Sequence, residues 1–236
     1  MRTFFLLLLL SLLISCGTPS KKAMNITGTI DGLRKGTLYL QKFLDTTLVS
    51  IDSFIVQKDK PFSLGDDIDY PQIYYLYLDK EDGDTLNDRI TFFGEKGDIT
   101  INSLLKTFES SAQISGSENH VLWEDYQAML RRFNAKSLDL VKNYLEEDSL
   151  SLDVREAKFD KDSKNLLKRR YLFALNYATN NADKEIAAYI GLYEISNVNP
   201  KLLDTLYSKM SENVKNSTYG VEFNKFLSSL KEDKKE

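Results

Sequence analysis

The hydrophobic pattern changes period twice along the chain. From Phe4 to Ile14 nearly every residue is apolar, from Asn25 apolar and polar residues alternate, and beyond Ser115 the apolar spacing becomes that of an α-helix. In the second regime Ile26, Gly28 and Ile30 alternate with Thr27 and Thr29 before an Asp31-Gly32 turn, and Leu38 and Leu40 alternate with Tyr39 and Gln41. Ile51 to Val56, Phe62 to Leu64, Gln72 to Leu78, Ile90 to Phe93, Asp98 to Asn102 and Phe108 to Ile114 continue the series between Gly and Asp turns. Gln72 to Leu78 is apolar on both faces, with Tyr74, Leu76 and Leu78 on one and Ile73, Tyr75 and Tyr77 on the other, so it belongs in the middle of a sheet. Short strands in succession predict a β-sandwich rather than a βαβ layout.

The switch falls at Ser115-Gly116-Ser117-Glu118, where Ser115 and Glu118 have the spacing of a capping box. Leu122, Tyr126, Met129, Phe133, Leu140 and Tyr144 then form a helical stripe, with a break at Lys136. A second helix is expected from about Ser151 to Thr179, a third from Asp183 to Ile195, a fourth after the Asn199-Pro200 start signal, and a last from Thr218 to Leu230. The resulting expectation is an α+β fold: an N-terminal antiparallel β-sandwich over residues 25–114, a helical region over 115–230, and a charged tail over 231–236.

The first regime has a different purpose. Arg2 supplies a positive charge, and the apolar run that follows has about eleven residues, too few for a hydrocarbon core that needs roughly 20. Leu13-Ile14-Ser15-Cys16 resembles a bacterial lipobox, which makes residues 1–15 a lipoprotein signal peptide and Cys16 the acylated first residue of the mature chain. Residues 16–24 then form a short polar leash containing Pro19. Acyl chains contribute about 0.8 kcal/mol per buried methylene, enough for stable attachment when several act together. The leash carries Lys21 and Lys22 and no acidic cluster; acidic residues soon after the cysteine resemble the surface-export signal of Bacteroidetes-type lipoproteins, and by that resemblance their absence implies the periplasm-facing side of the outer membrane of a cell envelope.

Composition closes several chemistries. Cys16 is the one cysteine, so a thiol catalyst, a disulfide framework and a cysteine-rich zinc site are excluded, and His120 is the one histidine. The formal charge of -4 becomes -5 without Arg2 and argues against nucleic acid as a partner. Thirteen Tyr and thirteen Phe give ample material for a real core.

Three stretches carry a family resemblance: Ile26 to Gly32, Gly97 to Ile101 leading into Ile114 to Asn119, and Pro200-Lys201-Leu202 through Tyr219-Gly220. Together they resemble the uncharacterised N-terminal β-domain and helical region that precede a thioredoxin-like module in Bacteroidetes thiol-disulfide oxidoreductase lipoproteins. In that family the chemistry sits in a CxxC-bearing module after the helices, so the resemblance implies a stand-alone accessory half and transfers no catalytic residue.

Candidate chemistry is sparse. Asp79 to Asp84 clusters carboxylates but fails the EF-hand spacing, with Gly83 one place early, and reads as a solvated turn. His120, in the first turn of a helix, reads as a capping or packing residue. Lys168-Arg169-Arg170 with Arg131-Arg132 is the wet face of two helices unless the groups meet. Asp84-Thr85-Leu86 and Asp148-Ser149-Leu150 resemble periplasmic O-glycosylation acceptors, which nominates Thr85 and Ser149; Asp45-Thr46-Thr47 and Asp204-Thr205-Leu206 have the same form. Tyr74, Tyr75 and Tyr77 are the candidate ligand surface. The expected function is a non-catalytic binding module without cofactor or metal, attached to the membrane through Cys16 and taking a periplasmic protein, peptide or glycan on a sandwich face or in the sheet-helix cleft. Two alternatives stand beside it: a docking partner for a separate thioredoxin-like oxidoreductase, and a hydrolase built on paired carboxylates.

Overall fold

The computed structural model describes residues 22–58, 60–80 and 88–232. Cys16 and Thr85 lie outside the described residues. Eight strands come first: β1 (Met24–Asp31), β2 (Thr37–Leu44), β3 (Thr47–Ile55), β4 (Phe62–Asp66), β5 (Gln72–Asp79), β6 (Arg89–Gly94), β7 (Gly97–Leu104) and β8 (Gln113–Ser115). They form two four-stranded sheets, ordered β4-β1-β7-β8 and β3-β2-β5-β6. Six helices follow: α1 (Glu118–Glu146), α2 (Leu152–Asn180), α3 (Glu185–Tyr189), α4 (Pro200–Lys209), α5 (Glu212–Lys215) and α6 (Thr218–Glu232), with a π-helical turn (Ile190–Glu194) continuing α3. The fold is α+β, as the change of period requires.

Alternation of side chains explains the sandwich. Met24, Ile26 and Ile30 of β1, Leu38 and Leu40 of β2, Tyr74, Leu76 and Leu78 of β5, and Ile99 and Ile101 of β7 all face the space between the sheets and are buried. One pairing departs from the antiparallel pattern: β1 runs parallel to β7, from Met24 opposite Gly97 to Asp31 opposite Leu104. Gly28 is required there, because a Cβ at that position would stand 1.7 Å from the Ile101 carbonyl oxygen.

The second sheet is covered on its other face as well. Ile73 of β5 and Phe93 of β6 leave the sandwich core and join a second core built from Tyr126 and Leu130 of α1, Ala174 and Ala178 of α2, Ile186 to Ala188 of α3, Leu203 and Leu206 of α4, and Phe223 and Leu227 of α6. This explains why β5 is apolar on both faces. Helices α1 and α2 are 29 residues each, and their buried residues lie at the ends near the sheet, so the far ends form an exposed hairpin.

Two local expectations change. Phe108 is not in a strand: Leu105–Thr107 form a 3₁₀ turn, Phe108 is buried beneath the sandwich, and β8 is short. The cap of α1 is Ser117, not Ser115; Ser115 pairs with Thr100 in the sheet, and Gly116, at φ 94°, turns the chain before Ser117 Oγ accepts from the His120 amide at 3.0 Å. At Lys136 the apolar stripe is interrupted by an exposed side chain while the helix itself runs on to Glu146.

Candidate functional site

The joint between sheet and helices is made by polar groups whose partners lie far away in sequence. Tyr219 at the start of α6 reaches β5, where its hydroxyl accepts from the Ile73 amide at 2.9 Å. His120 in α1 reaches the edge strand β6, where Nδ1 accepts from the Phe93 amide at 3.3 Å. That bond fixes the neutral tautomer with the proton on Nε2, which lies 3.4 Å from Glu124 Oε1. Burial holds the His120 pKa below its usual value against the opposing pull of Glu124. Tilted against Trp123 and almost wholly buried, His120 is a packing residue that ties α1 to the edge strand; the helix cap is Ser117.

A second part of the joint surrounds the start of α1. Glu95 accepts from the Glu118 amide at 2.7 Å and the Asn119 amide at 3.2 Å, placing a carboxylate where the helix dipole favours one. Asn119 donates to Glu185 Oε2 at 3.0 Å and accepts from the Ile186 amide at 3.0 Å, while Asn213 donates to Glu185 Oε1 at 3.2 Å. Burial raises the Glu185 pKa, with Glu95 adding to the effect. Glu185 is thus tied into the joint by two amides, and it is not among the residues that line the cleft described next.

The cleft opens between the β2-β3 hairpin and the helices. It has a volume of about 800 Å³ and is lined by Phe43, Tyr75, Tyr189, Tyr193, Tyr219 and Glu222, with Leu44 to Thr46, Gln72, Ile73 and Thr218 completing the wall. Each ring is placed by a local feature. The two residues between β2 and β3 are Asp45 and Thr46; Asp45 takes the left-handed conformation, at φ 52°, that short polar side chains tolerate, and the tight turn presents Phe43 and Leu44 half exposed. Phe43 meets Tyr75 edge-on at 5.9 Å. On the other side the π-helical turn follows directly on Tyr189, and Tyr189 and Tyr193 pack against each other at 5.1 Å and against Tyr219 at 5.4 and 6.0 Å. Gly191 on that turn lets Phe223 press against the backbone, because a Cβ there would come within 2.6 Å of the ring.

Tyr193 is 56% exposed, an unusual position for so large an aromatic ring at the mouth of a cleft. Its hydroxyl donates to Glu222 Oε2 at 3.1 Å. Burial raises the Tyr189 and Tyr193 pKa values to about 12, with Glu194 and Glu222 respectively adding to it, so both hydroxyls stay protonated at neutral pH. Aromatic walls, two carboxylates and a few neutral polar groups suit binding by ring contact and charge.

Of the three tyrosines nominated on β5, only Tyr75 lines this cleft. Tyr74 is fully buried in the sandwich, because its parity faces the opposite sheet, and its hydroxyl donates to Asp66 at 2.7 Å. Tyr77 is half-buried, stacks on Tyr39 at 6.2 Å and carries the Arg89 guanidinium 5.6 Å from its ring centre; Arg89 is equally close to Tyr75. Ser149 is exposed in the connection between α1 and α2, bonded to Glu147. Arg131 and Arg132 are exposed, while Arg170 pairs with Glu194 at 3.4 Å. Among the described residues no cluster of three or more metal-ligating side chains occurs and no helix is long and apolar enough to cross a membrane.

Residues 24–123 match the family model of a domain of unknown function, DUF4369. The match takes in the sandwich and the first turns of α1, so the Phe43 and Tyr75 wall of the cleft lies within it and the Tyr189, Tyr193, Tyr219 and Glu222 wall lies beyond it. No curated protein and no solved structure matches the chain.

Proposed function

We propose that this chain is a non-catalytic binding module of a bacterial cell envelope, held at the membrane through acylated Cys16 and taking its ligand in the aromatic cleft between sheet and helices. The observation that carries the reading is the exposed Tyr193 and Phe43 on opposite sides of a cleft of about 800 Å³. Large rings left half in water around a concavity of ligand-binding size are the usual mark of a recognition surface. The address rests on the sequence pattern: a positive n-region, a short apolar run, and the Leu13-Ile14-Ser15-Cys16 lipobox.

Support also comes from construction. The cleft is bounded on one side by a tight hairpin that belongs to the β3-β2-β5-β6 sheet and on the other by a π-helical turn whose Tyr189 and Tyr193 pack on Tyr219, and the Tyr219 bond to Ile73 ties α6 to the same sheet, so its shape is set before a ligand arrives. The test is site-specific photo-crosslinking in the acylated full chain in its host envelope. A benzophenone side chain at Tyr193 should give a discrete adduct, whereas one at Leu138, 71% exposed on the far helical hairpin, should give none. Equal adducts at both positions, or adducts only at Leu138, would refute the cleft as the binding surface. A Cys16→Ala variant that stayed in the membrane fraction after a salt wash would refute the anchor.

A further inference from the structure

We propose that the ligand group seated in the cleft is a cationic side chain, a lysine or arginine carried by a short extended peptide. This rests on the reading of the cleft as a binding site and adds its chemistry. The ionisable groups among the lining residues are the carboxylates of Asp45 and Glu222 and the hydroxyls of Tyr75, Tyr189, Tyr193 and Tyr219; among the described residues no lysine or arginine lines it. The charge offered to a ligand is therefore negative, and the ring faces among the walls carry the negative side of the aromatic quadrupole, which attracts a cation. Glu222 uses Oε2 for the Tyr193 hydroxyl, and a carboxylate has lone pairs for further donors, so an ammonium beside Tyr193 would meet a ring and a charged acceptor at one point.

The molecule already makes this kind of contact next door. Arg89 lies 5.6 Å from the ring centres of both Tyr75 and Tyr77, so the tyrosines of β5 accept a guanidinium where the chain itself supplies one. Size selects the carrier: a single ammonium group fills a small part of a cleft of about 800 Å³, and flanking peptide residues fill the remainder against Phe43, Leu44 and Ile73.

The test is isothermal titration calorimetry on the full chain with four probes: the peptides Ala-Ala-Lys-Ala-Ala, Ala-Ala-Arg-Ala-Ala and Ala-Ala-Glu-Ala-Ala, and a neutral oligomer of N-acetylglucosamine. Only the lysine and arginine peptides should bind, and their binding should weaken about tenfold in Glu222→Gln and in Tyr193→Ala but less than about threefold in Tyr193→Phe, which keeps the ring. Because Tyr193 is more than half exposed, its substitution leaves the core intact. Binding of the oligosaccharide or the acidic peptide in place of the cationic ones would overturn the cationic ligand while leaving the cleft as a site. Binding of the cationic peptides that neither Glu222→Gln nor Tyr193→Ala weakens would overturn both readings, and no binding of either cationic peptide at millimolar concentration would overturn the inference.

Discussion

Removing one oxygen from Tyr219 isolates the bond that joins the last helix to the sheet. Tyr219→Phe keeps a ring that packs on Phe93 at 6.1 Å and on Tyr189 at 5.4 Å, and deletes only the acceptor of the Ile73 amide. The pairing of β2 with β5 ends at Gln41 opposite Tyr75, so β2 provides no partner for Ile73, which is itself buried. A buried amide deprived of its acceptor costs about 1–3 kcal/mol. With a urea slope of about 2 kcal/mol/M, the middle of that range lowers the unfolding midpoint by about 1 M without changing the slope. Tyr219→Ala should cost about 3–5 kcal/mol, because the ring and its packing go too. Amide hydrogen exchange gives the site-specific readout: Ile73 loses protection in Tyr219→Phe while amides in β1 and β7 do not. A midpoint within 0.2 M of the parent, with Ile73 still protected, would refute the idea that this bond holds helix to sheet.

Two further predictions concern the joint and the sandwich. His120 is held neutral by burial, so its folded pKa lies below the unfolded value of 6.5; the stability it contributes is full above about pH 6.5 and is lost as the pH falls toward the folded pKa. His120→Asn, which retains an acceptor for the Phe93 amide but cannot titrate, should flatten the decline in urea midpoint below pH 6.5, and an unchanged decline would contradict this. Gly28→Ala drives a methyl group into the Ile101 carbonyl on the parallel β1-β7 pair and should cost about 3 kcal/mol in a thermal melt; a loss under 1 kcal/mol would mean that this register is wrong.

What the sequence made legible was decided by whether a signal is local. Period two reports which face of a strand is buried, so Ile26, Leu38, Leu76 and Ile99 announced their core, and Asn199-Pro200 announced the start of α4 through a cap that acts on Lys201 two residues away. Alternation says nothing about which strand lies alongside, and the parallel neighbour of β1 is β7, some seventy residues on. The same limit hid the cleft. Tyr75 was nominated with Tyr74 and Tyr77 as if a strand had one ligand face, but the rings that complete the site come from Tyr189, Tyr193 and Tyr219, more than a hundred residues later. The one local trace was the spacing of Tyr189 and Tyr193, four apart in a helical stretch, which puts two rings on one face. The cap at Ser117 was misplaced for a similar reason: the carboxylate serving the helix start is Glu95, from the loop before β7, while Glu118 pairs with Lys184.

Fluorine NMR of the full chain carrying 3-fluorotyrosine, titrated with Ala-Ala-Lys-Ala-Ala, reports which rings feel the ligand. A ligand in the cleft should give saturable shifts for Tyr193 and Tyr189, smaller ones for Tyr75, and none for Tyr74 and Tyr126, which are buried in the two cores. Shifts confined to Tyr39, Tyr77 or Tyr144, none of which lines the cleft, would contradict it.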